Sequence, residues 1–291
     1  MSSLFRINIK FNMKFWLLVA VSLASLMSIS RVHAAAKEVY ILAVVPQFTP
    51  SEVHRNWAPF VEKLSKATQR NFEIRIYPSI PKFEEAFLNG EIDLAFMNPY
   101  HAVMAKRAQG YIPLVRDAAK PLSGILIVRR DSPVKTIKEL NGKELAFPAP
   151  NAFGASLYLR ALLAEQEKIS ITPRYVNTHT NVYRHVIMGE VVAGGGVNIT
   201  LAQEPAEVQA QLRVLFETPA VAAHPLVAHP RMPEGIRQTV TTVLLEMGNE
   251  PAWKTLLGGM QIPRPVKADY AMDYQPLEKL KLEKYVVIEK N

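Results

Sequence analysis

Between residues 38 and 110 the chain alternates apolar strand patterns with amphipathic helix patterns, and this order constrains the fold more than any other feature. Strands are predicted over 38–45, 72–77 and 92–97, where apolar residues run together or alternate. The first helix is predicted to begin at a Ser51 cap, with an apolar face formed by Val53, Trp57, Phe60, Val61 and Leu64. This order predicts an α/β fold with a mainly parallel sheet and helices on its faces.

Two further helices in this region carry end signals. A short helix through Phe83 and Phe87 is predicted to stop at Asn89-Gly90, because glycine readily adopts the left-handed conformation that follows a helix. Asn98 is predicted to cap the next helix, with Pro99 as its first residue and Gln109-Gly110 as its end.

A second α/β series follows a strand at 124–130 that has no helix after it. Its strands are predicted at 144–147, 173–177 and 191–197, and its helices run from about Gly154 to Gln166 and from Asn181 to Met188. A strand at 212–216 then leads back towards a helix predicted from Pro233 to Met247. Two α/β units joined by two extended crossings, near 124–128 and 214–216, predict a two-lobed protein with a cleft between the lobes.

Ligands of open α/β sheets bind beyond the carboxyl ends of the strands. Four strand-end loops are therefore expected to face the cleft: 46–48, 98–100, 150–153 and 178–181. Their composition predicts ligand contacts from Phe48, Asn98, Tyr100 and His179.

The third of these loops carries the strongest binding signal. An apolar strand ends at Phe147, two prolines and Asn151 follow, and a helix pattern starts near Gly154. The first N–H groups of a helix have no intrahelical partner and lie at the positive end of the helix dipole, so they can hold an anion. We therefore expect ligand contacts from Asn151, Ala152, Phe153, Gly154 and Ala155; the alternative is an ordinary strand-to-helix turn.

Residues 1–34 are predicted to be an export signal. Arg6, Lys10 and Lys14 precede an apolar run, and Val32-His33-Ala34 supplies small residues for cleavage. Cleavage is expected after Ala34, with Ala35 or Ala36 as alternatives, and an uncleaved membrane anchor as the competing interpretation. The chain has no cysteine, which excludes a cysteine-linked lipid anchor, disulfides and a thiol nucleophile.

Part of the net charge of +8 comes from basic residues in the predicted export signal. Without Arg6, Lys10, Lys14 and Arg31, 30 basic residues stand against 26 acidic ones, which leaves +4. This charge is too small and too dispersed to indicate nucleic-acid binding, although it favours the approach of an anionic solute.

No motif of a hydrolase, a zinc protease or a phosphate-binding loop occurs, so no enzyme activity and no cofactor are expected. The spacing of His179 and His185 does not suit a metal pair, so no metal site is expected. The carboxylates of Glu84, Glu85 and Asp93 are expected to be solvated.

Several motifs resemble one family, the type II periplasmic solute-binding proteins of phosphonate, phosphite and phosphate uptake (PhnD-like). They are the run 85–96 followed by Asn98-Pro99-Tyr100, the strand 127–132, Leu140-Asn141-Gly142-Lys143, and His179 with Gly189-Glu190-Val191. The resemblance extends from about Val39 to Leu245.

This resemblance implies a two-lobed fold with two hinge strands, in which residues 35–126 and 219–291 form one lobe and 127–218 the other. It implies a periplasmic, monomeric protein that holds a small anionic ligand, such as a phosphonate or phosphate, between the lobes and docks on an ABC permease of the inner membrane. A sensory or accessory protein of the same fold is the alternative, and an exported enzyme a remoter one.

The chain departs from the family at three positions. Ala152-Phe153-Gly154-Ala155 stands where the family has a Ser-Thr-Ser-Gly run around the phosphonate oxygens. Val192 stands where the family usually has an acid, and Ile80 is nearest to an expected tyrosine. Aminoalkyl phosphonates are therefore expected to bind weakly or not at all; a small oxyanion, or an anion with an apolar body, is expected instead.

Overall fold

The computed structural model describes residues 39–287, which form two β-sheets with helices packed on their faces. The strands are β1 (Val39–Val44), β2 (Asn71–Arg75), β3 (Leu94–Phe96), β4 (Ile112–Asp117), β5 (Gly124–Arg129), β6 (Glu144–Phe147), β7 (Thr172–Tyr175), β8 (Ala193–Val197), β9 (Leu212–Glu217), β10 (Pro225–Ala228) and β11 (Pro265–Lys267). The export signal predicted for residues 1–34 lies outside the described residues.

The α-helices within these residues are α1 (Pro50–Thr68), α2 (Ile80–Leu88), α3 (Pro99–Gln109), α4 (Tyr158–Glu165), α5 (His179–Ile187), α6 (Asn198–Leu201), α7 (Ala206–Ala210), α8 (Glu234–Asn249) and α9 (Lys254–Gly259). Short 3₁₀ segments lie at Ile137–Leu140, Pro251–Trp253, Gln275–Leu280 and Leu282–Tyr285, and π-helical turns at Phe153–Leu157 and Tyr270–Tyr274. None of the helices in the described part of the chain is both long and apolar enough to cross a bilayer.

Both sheets combine parallel and antiparallel pairs. The first has the order β11-β4-β10-β3-β1-β2, in which β1 pairs in parallel with β2 and β3, and β10 runs antiparallel to β3 and β4. The second has the order β7-β6-β8-β5-β9, in which β6 is parallel to β7 and β8 while β5 is antiparallel to β8 and β9. We call each sheet with its helices a lobe. The sheets were predicted to be mainly parallel. Each is mixed because one strand, β10 in the first sheet and β5 in the second, enters from the other lobe and runs antiparallel to both of its neighbours.

The chain changes sheet twice within the described residues, between β4 and β5 and between β9 and β10. The two connecting segments lie side by side: Leu122 and Val221 form an antiparallel bridge, and Thr218 N donates to Gly124 O at 2.8 Å. All of β5 belongs to the second sheet, so the second lobe begins at Gly124. Two adjacent extended segments between rigid lobes are the typical construction of a hinge.

The helix ends follow the local sequence in most places. Asn98 caps α3 with its side chain on His101 N at 2.7 Å, and Gly110 ends that helix with a φ of 76°, as predicted. For α1 the predicted cap is wrong, because Thr49 rather than Ser51 precedes the helix. Thr49 and Glu52 form a capping box there, which satisfies two N–H groups that Ser51 would leave open.

Two carboxylates that the sequence places on the surface are buried. Asp93 accepts hydrogen bonds from Ile41 N at 2.8 Å and from Arg231 at 2.7 Å. Glu84 lies 2.7 Å from His101 Nε2 and 2.8 Å from the Asn151 amide nitrogen that donates to it. The expectation that they are solvated is wrong because each carboxylate replaces water with protein donors. Glu85, by contrast, is exposed and pairs with Lys82.

The apolar core of the first lobe continues into the second. It includes Phe153, Leu157, Tyr158 and Leu162, which lie after β6 in sequence. Two smaller clusters occupy the two faces of the second sheet. The start of the helix after β6 is therefore packed directly against the first lobe.

Candidate functional site

The predicted strand-end loops meet around a small buried cavity between the lobes. Its volume is about 10 Å³, roughly the room for one water molecule. The cavity is lined by Val45, Gln47, Ile80, Asn98, Ala152, Phe153, Gly154, Ala155, His179, Val197 and His224. Six of the nine residues predicted from the sequence lie in this wall; Phe48, Tyr100 and Asn151 do not.

The helix after β6 opens with a π-helical turn at Phe153–Leu157. Ser156 and Leu157 both donate to Ala152 O, at 2.8 and 3.1 Å. The N–H groups of Phe153, Gly154 and Ala155 have no acceptor among residues 39–287. These three N–H groups without a protein partner belong to residues that line the cavity.

Glycines allow this turn to sit between two strands. A Cβ on Gly124 of β5 would lie 2.1 Å from Gly154 O, and one on Gly195 of β8 would lie 1.9 Å from Ala155 O. β8 also packs closely on α5, since a Cβ on Gly196 would meet the Tyr183 hydroxyl at 2.7 Å. The glycine run of β8 therefore allows close packing of Phe153–Leu157, which we call the donor turn, on one side and of α5 on the other.

Gln47 and His224 form a buried pair in the cavity wall. The Gln47 amide nitrogen donates to His224 Nε2 at 2.8 Å, which leaves the ring proton on Nδ1. His224 Nδ1 has no protein partner within the described chain. Burial, with smaller contributions from His101 and His179, lowers the pKa of His224 to about 3, so the ring is neutral.

His179, the first residue of α5, is also buried and neutral. Its Nδ1 lies 3.2 Å from Thr200 Oγ1, and Thr200 donates to Val197 O at 3.0 Å. Burial lowers the pKa of His179 to about 4. The cavity therefore presents neutral polar groups, and its wall contains no Asp, Glu, Lys or Arg side chain among the described residues.

Phe153 lines the cavity and also packs against side chains of both lobes. Its ring stacks on Tyr100 of α3, with centroids 6.1 Å apart, and on Tyr158 of α4, 5.6 Å apart. Tyr100 thus lies behind Phe153 rather than in the cavity wall. Burial, aided by the nearby Glu283 carboxylate, raises the pKa of Tyr100 to about 12.

Asn151 binds the C-terminal segment. Its amide accepts from Val287 N at 2.9 Å and donates to Val287 O at 2.8 Å, in addition to its bond with Glu84. Because both ends of this amide are occupied by protein, Asn151 supports the loop from outside. Phe48 is half-buried and faces two wider clefts beside the cavity.

Two of the residues at which the chain departs from the family pattern, Ile80 and Val192, lie at different distances from the cavity wall: one is in it and the other is not. Ile80 lines the cavity and adds an apolar wall. Val192 is exposed and lies outside it.

Sequence reasoning missed Gln47 and His224. Gln47 lies in the loop 46–48 that the sequence places at the cleft, where Phe48 is the predicted contact. The alternation of facing directions after β1 was the available signal, since Val45 and Gln47 share one side. His224 directly precedes β10, and nothing in the local sequence distinguishes it.

Two α/β lobes, joined by paired extended segments and closed on a polar cavity, define the type II periplasmic binding protein fold. Over residues 42–274 the chain matches the family described as "ABC transporter, phosphonate, periplasmic substrate-binding protein", and it belongs to that family. The suspected resemblance is thereby confirmed.

Solved structures with this fold agree. PhnD1 of Prochlorococcus marinus, solved with methylphosphonate, has a TM-score of 0.74 at 17% identity, over 85% of this chain and 99% of that one. A binding protein component of an ABC phosphonate transporter from Pseudomonas aeruginosa has a TM-score of 0.72 at 14% identity, over 84% and 86%. The aliphatic sulphonate binding protein SsuA of Escherichia coli has a TM-score of 0.58 at 18% identity, over 86% and 87%.

Proposed function

We propose that this protein is the solute-binding component of an ABC importer and that it captures a small anion in the cavity between its lobes. The observation that carries the proposal is the set of three free N–H groups at Phe153–Ala155. The residues that carry these groups line the same cavity as Gln47, Asn98 and His179, which supports the proposal. Buried donors without partners are costly, and an anion would satisfy them.

The cavity chemistry favours an anion over an aminoalkyl ligand. An ammonium group needs a carboxylate or several free acceptors when it is buried. Glu84, a buried carboxylate of α2 outside the cavity lining, is already bonded to His101 and Asn151. An amine would therefore enter without a partner, whereas an oxyanion would meet backbone N–H groups.

The ligand is proposed to enter with the lobes apart and to be enclosed as they close. A cavity of about 10 Å³ holds no phosphonate, so binding requires movement at the paired segments that join the lobes. The closed form would then be the one presented to a permease of the inner membrane. The mature protein is proposed to be a monomer.

Gly154→Pro tests the site, because proline lacks the N–H group. Its affinity for methylphosphonate, measured by calorimetry, is expected to fall about ten- to a hundredfold, the effect of losing one hydrogen bond to a charged group. Gly154→Ala is the matched control, since its Cβ meets the same neighbours, Val197 and Gly124, at 3.0 and 3.3 Å while the N–H remains. Equal affinities for the two variants would place the anion elsewhere.

Export into the periplasm is proposed to proceed through residues 1–34, with cleavage after Ala34. The family is periplasmic, and the basic, apolar and small-residue segments occur in the order that a signal peptidase substrate requires. N-terminal sequencing of protein from the periplasmic fraction is expected to begin at Ala35, or at Ala36 or Lys37. Protein that retains Met1 and sediments with membranes would contradict cleavage.

A further inference from the structure

An apolar groove adjoins the cavity, since the two share Ile80 in their linings. Its volume is about 280 Å³. Six prolines line it, Pro46, Pro50, Pro78, Pro81, Pro148 and Pro150, together with three aromatic side chains, Phe48, Tyr77 and Tyr175. No Asp, Glu, Lys or Arg from the described residues contributes to this lining.

The groove and the cavity are two sides of the same loops. After β1, Val44, Pro46 and Phe48 face the groove, whereas Val45 and Gln47 face the cavity. The loop after β6 also contributes to both spaces: residues 148–150 line the groove, and residues 152–155 line the cavity.

Ile80, the first residue of α2, belongs to both linings. It is nearly fully buried and is the residue that the two linings have in common. A ligand whose head lies at the donor turn would therefore have its remaining atoms directed past Ile80 into the groove.

We infer that the ligand is an anion with an apolar body of about the size of a phenyl ring or a short alkyl chain, and that the groove holds this body. The inference rests on the proposed function, since it extends the anion site at Phe153–Ala155. Apolar cavities of roughly 150 Å³ bind benzene, so the groove has room for such a group. Water in a proline- and aromatic-lined groove has few hydrogen-bond partners, and an apolar body would release it.

A second space shares Phe48, Thr49 and Thr178 with the groove but has a different character. It is larger, about 780 Å³, and its lining includes Arg55, Arg184, Glu52 and Glu204. An apolar body would therefore be accommodated by the charge-free groove rather than by this charged space. Two side chains at the groove, Ile76 and Tyr175, are exposed to 38% and 39%, so the apolar surface reaches solvent.

Two probes with the same head test the inference, methylphosphonate and phenylphosphonate. Calorimetry on the mature protein is expected to give phenylphosphonate at least about tenfold tighter binding, since the ring buries several more apolar carbons. Methylphosphonate binding that equals or exceeds phenylphosphonate binding would overturn the inference and leave the proposed function standing. If neither phosphonate binds, both fail.

A variant of the groove provides the second arm. Tyr175→Ser removes an aromatic wall without adding charge, and it is expected to reduce the ratio of the two affinities by about fivefold or more. Val214→Ser, at an exposed apolar position of β9 outside the groove, is the control and is expected to keep the ratio. A ratio that Tyr175→Ser leaves unchanged would show that the phenyl group lies elsewhere.

Discussion

Gly195→Ala is expected to destabilise the protein by about 3 kcal/mol or more, because overpacking against rigid neighbours forces the backbone to move. The new Cβ would lie 1.9 Å from Ala155 O and 2.6 Å from the Phe147 ring. The carbonyl belongs to the donor turn, so the same substitution is expected to remove anion binding. Urea unfolding followed by circular dichroism measures the first effect, and calorimetry with methylphosphonate measures the second.

Gly235→Ala is the matched control for this substitution. Gly235 lies in the first turn of α8, and a Cβ there would have no neighbour within 4 Å. Alanine at such a site is expected to raise the free energy of unfolding by about 0.4–1 kcal/mol, chiefly by restricting the unfolded chain. If Gly195→Ala were as stable as the wild type, the packing of the donor turn on β8 described above would be wrong.

Acidification is expected to destabilise the protein through two buried histidines. Burial lowers the pKa of His179 to about 4 and that of His224 to about 3. In the unfolded chain a histidine has a pKa of about 6.5, so below that pH the unfolded state binds more protons and stability falls. Each histidine contributes about 1.4 kcal/mol per pH unit, which gives roughly 5 kcal/mol between pH 6.5 and 4.5. That loss is comparable to the whole stability of many domains, about 5–15 kcal/mol.

The double variant His179→Gln, His224→Gln should lose most of this pH dependence. The free energy of unfolding, measured in urea at several pH values, is expected to decline much less between pH 6.5 and 4.5 than in the wild type. His54→Gln alters an exposed histidine on α1 and is expected to retain the wild-type slope. A double variant with an undiminished slope would show that other groups cause the acid sensitivity.

Local signals made much of the fold predictable. The bounds of α3 follow from Asn98-Pro99 at its start and Gly110 at its end, and each signal satisfies or ends the backbone hydrogen bonds of a helix. The strand at 144–147 and the donor turn after it were likewise apparent. These features depend on neighbours in sequence, which a single chain displays directly.

Long-range pairing was less visible. β4 contains Pro113 and β11 has three residues, so neither shows a strong strand pattern; their antiparallel partners place them in the first sheet. The sequence around Glu84 does not indicate that this carboxylate is buried, because its partners His101 and Asn151 come from α3 and the second lobe. His224 pairs with Gln47 across 177 positions of sequence, which no local pattern can report.

The proposed anion site at the N–H groups of Phe153, Gly154 and Ala155 can be observed in solution. Amide resonances of these three residues, followed by nitrogen-edited NMR during a titration with phenylphosphonate, test it most directly. All three amide protons are expected to shift downfield as the ligand saturates, since each N–H would donate to the anion. Saturable binding, established by calorimetry on the same sample, with these three amide signals unmoved would contradict it.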